Sequence, residues 1–125
     1  MDVPNNLKYT KEHEWIRVED NTAYVGITDY AQSELGDIVF IELPNVNDTF
    51  SKDDVFGTIE AVKTLADLYI PVSGKIIEVN ANLDAEPESV NTDPYDKGWI
   101  IKIELNDPSE LNDLLSDSEY SDLIN

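Results

Sequence analysis

The sequence predicts a mainly β fold, a β-sandwich or flattened barrel with a short internal helix and two short C-terminal helices. Three observations carry this reading. Short β-prone runs recur from Trp15 onward, each stopped by turn residues. After Asp107 the apolar spacing becomes helical. Strands come first and helices last, unlike the alternation of an α/β chain.

Glu14-Trp15-Ile16-Arg17-Val18-Glu19, Asp20-Asn21 and Thr22-Ala23-Tyr24-Val25-Gly26-Ile27 read as strand, turn and strand, hence a hairpin. Thr28 is placed to cap a short helix running through Leu35, and Gly36 to end it in a left-handed conformation. Asp37-Ile38-Val39-Phe40-Ile41-Glu42-Leu43 is apolar on both faces and stops at Pro44, so it is expected to be a core strand. A polar connection around Val46 and Phe50 leads to two extended runs, 55–62 and 65–72, with Lys63-Thr64 as the link between them. Ser73-Gly74 reverses the chain, and residues 75–80 and 99–105 supply further strands on either side of the turn-rich Asp93-Pro94-Tyr95-Asp96-Lys97-Gly98. Asp107-Pro108-Ser109-Glu110 begins a helix with an apolar face at Leu111, Leu114 and Leu115. Ser116-Asp117-Ser118-Glu119 begins another with Tyr120, Leu123 and Ile124.

The 125 residues suit one domain, with 1–6 as an N-terminal tail and 107–125 as a helical appendage; no internal repeat or linker divides them. Eight basic against 27 acidic residues give a formal charge of −19, which opposes nucleic acid and anionic membrane surfaces as partners. The 41% of hydrophobic residues are dispersed, so no membrane span is expected. With no cysteine, disulfides, thiolate metal sites and a cysteine nucleophile are excluded. The N-terminus shows no targeting segment, and a bacterial cytoplasmic location is expected.

Catalytic apparatus is not evident. No nucleophile-elbow pattern accompanies the lone His13, which reads as a half-exposed strand residue. The five glycines are too dispersed for a P-loop or a dinucleotide fingerprint. Asp84, Glu86, Glu88, Asp93 and Asp96 do not follow EF-hand spacing, so solvated loops explain them better than a calcium-binding enzyme or adaptor, and no metal site is expected. Trp15, Trp99 and the tyrosines lack interleaved basic residues, which points to packing and not to stacking on bases.

Attention therefore falls on Phe56-Gly57-Thr58-Ile59-Glu60-Ala61-Val62-Lys63-Thr64-Leu65-Ala66-Asp67-Leu68-Tyr69, where a lysine occupies a hairpin tip. By pattern alone it is an ordinary solvated lysine. The segment nevertheless resembles the lipoyl-attachment hairpin of H proteins of the glycine cleavage system. Tyr9-Thr10-Lys11-Glu12-His13-Glu14-Trp15, Val25-Gly26-Ile27-Thr28-Asp29-Tyr30-Ala31-Gln32, Leu35-Gly36-Asp37-Ile38-Val39-Phe40, Asn91-Thr92-Asp93-Pro94-Tyr95 and Gly98-Trp99 resemble the same family, over residues 7–123. Ala61, Thr64 and Ala66 depart from the family's usual serine, alanine and serine. Biotin carriers usually flank their lysine with methionines, whereas Val62 and Thr64 stand here.

The resemblance implies a lipoyl-domain-like fold and a non-catalytic carrier with lipoate joined to Lys63 by an amide. It implies Glu60, Ala61, Val62 and Thr64 as arm-flanking recognition residues and no catalytic residue. The implied partners are glycine decarboxylase (P protein), which loads an aminomethyl group, the folate-dependent aminomethyltransferase (T protein), dihydrolipoamide dehydrogenase (L protein) and a lipoylating enzyme, served by a monomer. Because the loaded amine is cationic and open to hydrolysis, a groove with a carboxylate would protect it, and Glu14 and Asp67 are the candidates. A lipoate relay to other lipoate-dependent enzymes is the alternative role.

Overall fold

A computed structural model describes residues 2–125. Two antiparallel sheets pack face to face without closing into a barrel. The larger contains, in chain order, β1 (Lys8–Tyr9), β2 (Glu14–Glu19), β3 (Thr22–Ile27), β5 (Thr49–Phe50), β8 (Gly74–Val79) and β9 (Ile101–Leu105); the smaller contains β4 (Ile38–Glu42), β6 (Val55–Ala61) and β7 (Leu65–Tyr69). Their spatial orders are β1-β2-β3-β9-β8-β5 and β4-β6-β7. Between the sheets lie Ile16, Val25, Ile41, Ile59, Ile76 and Ile103, all buried, as expected of β-branched residues on facing pleated surfaces.

The first hairpin forms as predicted, with Glu14 opposite Ile27 and Glu19 opposite Thr22. Helix α1 (Asp29–Leu35) also matches. Thr28 Oγ1 accepts from Ala31 N at 3.1 Å, and Gly36 ends the helix with φ +79°. Four short elements escaped the sequence pattern: β1, β5, and the single-turn helices α2 (Asn82–Ala85) and α3 (Ser89–Thr92). Each is too short to show a period.

The strand predicted over 37–43 is not a core strand on both faces. Only Ile38 and Ile41 are buried, because Ile38 pairs with Ala61 and Phe40 with Glu60, leaving one extra residue in β4. That bulge turns both Val39 and Phe40 outward. His13 is likewise not a strand residue: it occupies the turn before β2 with φ +70°.

At the C-terminus the first predicted helix is a 3-10 helix over Pro108–Asp113, capped by Asp107; Leu115 leaves it to exchange two backbone hydrogen bonds with Tyr9. The second is α4 (Asp117–Ile124), begun by a capping box between Ser116 and Glu119. Its Tyr120 is buried against Tyr9, whereas Leu123 is exposed and is not part of the packed face. The predicted N-terminal tail begins at Met1, outside the described residues. From Asp2 it is tied down, since Asp2 N donates to Asp29 Oδ2 at 3.0 Å and Tyr95 Oη donates to Asp2 O at 2.6 Å.

Among the described residues no helix is long and apolar enough to cross a membrane, and no group of three or more His, Asp or Glu side chains could hold a metal ion. The aromatic residues serve packing: Trp15 is fully buried with its Nε1 donating to Pro94 O at 2.9 Å, and Tyr24 packs edge-on against Trp99.

Candidate functional site: the Lys63 hairpin and its cleft

Strands β6 and β7 pair from Val55–Tyr69 up to Glu60–Leu65, and Ala61 N donates to Thr64 O at 2.8 Å to close the tip. Lys63 therefore sits at the tip of the β6–β7 hairpin, exposed, with Val62 beside it. No residue of the tip has a positive φ, so the turn forms without the glycine or asparagine that the tightest hairpins prefer.

Two contacts fix this tip to the body. Val62 N donates to Asp37 O at 3.0 Å, and the Lys63 stem lies over Gly36, where an added Cβ would come within 3.3 Å of Lys63 Cε. The lysine stem is thus laid against the C-terminal end of α1. The segment that receives it is itself clamped by Asn91, at the end of a different helix. Asn91 Nδ2 donates to Gly36 O at 2.8 Å and to Gln32 Oε1 at 3.1 Å, and its Oδ1 accepts from Ile38 N at 3.0 Å. The Asn91-Thr92-Asp93-Pro94-Tyr95 motif does not reveal this role locally, because the partners of Asn91 lie more than fifty positions away.

Beside the hairpin a cleft of about 420 Å³ opens between α1, the start of β2 and β7. Ile27, Ala31, Leu35, Ile59, Ala66 and Leu68 give it apolar walls, and Glu14, Glu12, His13 and Asp67 give it polar groups. Glu14 shares its strand face with Ile16, so it points between the sheets and is only 2% exposed. Its Oε1 accepts from Thr10 Oγ1 at 2.7 Å and its Oε2 faces Tyr69 N at 3.4 Å. Burial pushes the Glu14 carboxyl up to about 8, against the lowering effect of those two hydrogen bonds. Asp67 differs. Paired with Thr58, which pairs in turn with Glu42, it belongs to the outward row of the small sheet and stands exposed at the rim.

His13 borders the same cleft. Its Nδ1 lies 2.8 Å from Tyr120 Oη, which lies 2.7 Å from Thr28 Oγ1, so α4 and the cap of α1 meet through one phenol. Burial lowers the His13 pKa, partly offset by Glu12 and Glu34. The remaining recognition candidates divide by exposure: Glu60, Val62 and Thr64 face solvent, whereas Ala61 is buried behind the tip. Of the acidic loop residues, Asp93 accepts from Lys97 N through Oδ2 at 3.3 Å and its carbonyl accepts from Gly98 N at 2.8 Å, a structural use in closing a turn.

An exposed lysine on a fixed hairpin tip therefore stands beside an apolar cleft that holds one buried, proton-retaining carboxyl group. The family model described as glycine cleavage H-protein matches residues 7–125. Glycine cleavage system H proteins of Staphylococcus haemolyticus and Staphylococcus epidermidis are each 56% identical over 124 residues, covering 99% of this chain and 98% of theirs. The crystal structure of a glycine cleavage system H protein from Mycobacterium marinum superposes with a TM-score of 0.89 at 38% identity, over 96% of this chain and 97% of that one. With the two-sheet fold and the lysine hairpin in place, the matches over nearly the whole length show that this chain belongs to the glycine cleavage H-protein family.

Proposed function

We propose that Lys63 is the residue through which this chain, by family a lipoyl carrier of glycine cleavage, holds its lipoyl group, and that the Glu14 cleft shelters the loaded end. The observation that carries the reading is Lys63 at a fixed hairpin tip beside the cleft. Once attached, the lipoyl group would supply a redox-active disulfide able to take up an aminomethyl unit and, as the dithiol left when that unit departs, to be oxidised again. The chain's own residues do the rest. Asn91 and Asp37 hold the tip, which limits the orientations a tethered arm must search. The apolar walls exclude water. Glu14, held by Thr10 and the Tyr69 amide, gives its proton up to water as a cationic amine binds and then pairs with that amine, since an adjacent positive charge favours the ionised carboxylate. Asp67 guards the rim as a second carboxylate.

In this role the chain performs no catalysis of its own. As a monomer in the bacterial cytoplasm, it visits glycine decarboxylase, the aminomethyltransferase and dihydrolipoamide dehydrogenase, after a lipoylating enzyme has modified Lys63. Family membership favours this carrier role over a lipoate relay. Intact mass and peptide mapping of protein from lipoate-supplied cells test the attachment: one lipoyl group on the Lys63 peptide, absent in Lys63→Arg, is expected. A bare Lys63 in the presence of competent lipoylating enzyme overturns it. For the cleft, Glu14→Gln with Asp67→Asn is expected to speed hydrolysis of the loaded arm, and an unchanged rate removes those two residues from the role.

A further inference from the structure

Of the eight large hydrophobic side chains left exposed among the described residues, four gather around Lys63: Val39 at 50%, Phe40 at 51%, Val62 at 75% and Leu65 at 65%. Their grouping follows from the register. Phe40 pairs with Glu60 and Glu60 with Leu65, so these three form one outward row across the small sheet at its lysine end. Strict alternation would send one of Val39 and Phe40 into the core, and the β4 bulge presents both to water. Two residues further along, about 7 Å away at the rise of a strand, the next outward row is Glu42, Thr58 and Asp67. The face beside the lysine therefore carries four apolar side chains around the acidic Glu60, with a second acidic row behind it, on a chain of net charge −19.

We propose that this face is the docking surface for the enzyme that attaches the arm, and that the enzyme meets it with an apolar recess fringed by basic side chains. The inference rests on Lys63 as the attachment site. In attachment the Lys63 amine forms an amide with an activated acyl carbon, an acyl adenylate or thioester, while its proton and the activating group depart. The reacting atom is thus Nζ itself, on a stem of only four carbons that lies against Gly36. An enzyme reaching that atom has to come down on the tip and cover the side chains around it. One that works at the far end of the finished arm can stand off. The acidic row supplies the charge complementarity that steers a basic partner onto an acidic carrier.

The test is steady-state lipoate attachment to the full-length unmodified chain by a purified lipoate–protein ligase with lipoate and ATP. Phe40→Ser with Leu65→Ser is expected to raise KM for the chain about tenfold or more with kcat little changed, as loss of central apolar anchors does. Val55→Ser, which removes an exposed apolar residue at the other end of the same sheet, is expected to change neither. Glu42→Lys is expected to raise KM at low salt and to lose that effect at high salt. Thermal melts confirm that the variants are folded. The proposal is overturned if the double variant stays within about twofold of wild type in KM. It is equally overturned if only turnover with glycine decarboxylase suffers, or if sedimentation shows wild-type dimers that the double variant dissociates, which would assign the face to a second copy. Modification that persists in Lys63→Arg refutes the attachment site instead, and is read independently of the KM comparison.

Discussion

Replacing Glu14 by glutamine removes a titration that the fold makes unfavourable, and its size can be worked from the surroundings. Glu14 is 2% exposed, and burial holds its pKa at about 8 instead of 4.5. A carboxyl whose pKa is raised in the folded state keeps its proton there after the unfolded chain has released it. Between pH 4.5 and about 8 the native state therefore binds more protons, and stability falls as pH rises. The contribution is fully present below the unfolded value and has gone above the folded one. At about 1.4 kcal/mol per pH unit the interval amounts to roughly 5 kcal/mol. Glutamine matches the neutral acid in shape and does not titrate, so any cost of refitting its amide to Thr10 and Tyr69 is the same at every pH. Urea unfolding of both proteins, followed by tryptophan fluorescence from about pH 5 to about pH 9, isolates the effect because the other acidic residues titrate in both. The wild type should lose roughly 4 kcal/mol relative to the variant over that range. Parallel curves would refute the placement of Glu14 as a buried, proton-holding acid, and with it the account of how the cleft accepts a cation.

Other perturbations follow from single contacts. A Cβ on Gly57 would overlap the Glu42 carbonyl oxygen, so Gly57→Ala should push β4 from β6 and destabilise the chain by about 2–4 kcal/mol in thermal or urea unfolding. Asn91→Ala leaves Gly36 O and Ile38 N without their partner and should cost about 2–3 kcal/mol, with faster hydrogen exchange at the Val62 amide as the sign that the tip has loosened. Tyr120→Ala opens His13 to water. The His13 pKa, held below 6.5 by burial, should rise in an NMR titration, and the stability that wild type loses through His13 as pH falls below 6.5 should diminish.

The hairpin bearing Lys63 was legible because two β-prone runs bracket it and because five separate segments resemble one family. The first hairpin and α1 were legible for local reasons, turn residues at Asp20-Asn21 and a Thr28 cap. The β4 bulge was not. An unbroken apolar run carries no mark of where alternation slips by one residue, and Val39-Phe40 reads as core until its partners in β6 are known. Asn91 is silent for a related reason, since an asparagine in a turn-rich segment is explained by the turn, and its clamp on 36–38 exists only in three dimensions. Glu14 could be named a holding residue by resemblance. Its raised pKa comes from the second sheet closing over it, a property of packing that no local pattern encodes.

The β4 bulge also bears on how such a chain survives at high concentration. β4 is the edge of the small sheet, paired with another strand on one side only, and it carries two apolar side chains facing water. A straight strand of that kind is a template onto which a second chain can add, strand upon strand, toward insoluble aggregates. The extra residue breaks the even spacing such templating needs, and the shared negative charge keeps copies apart. The bulge that turns Val39 and Phe40 outward thus also makes it safe to leave them there.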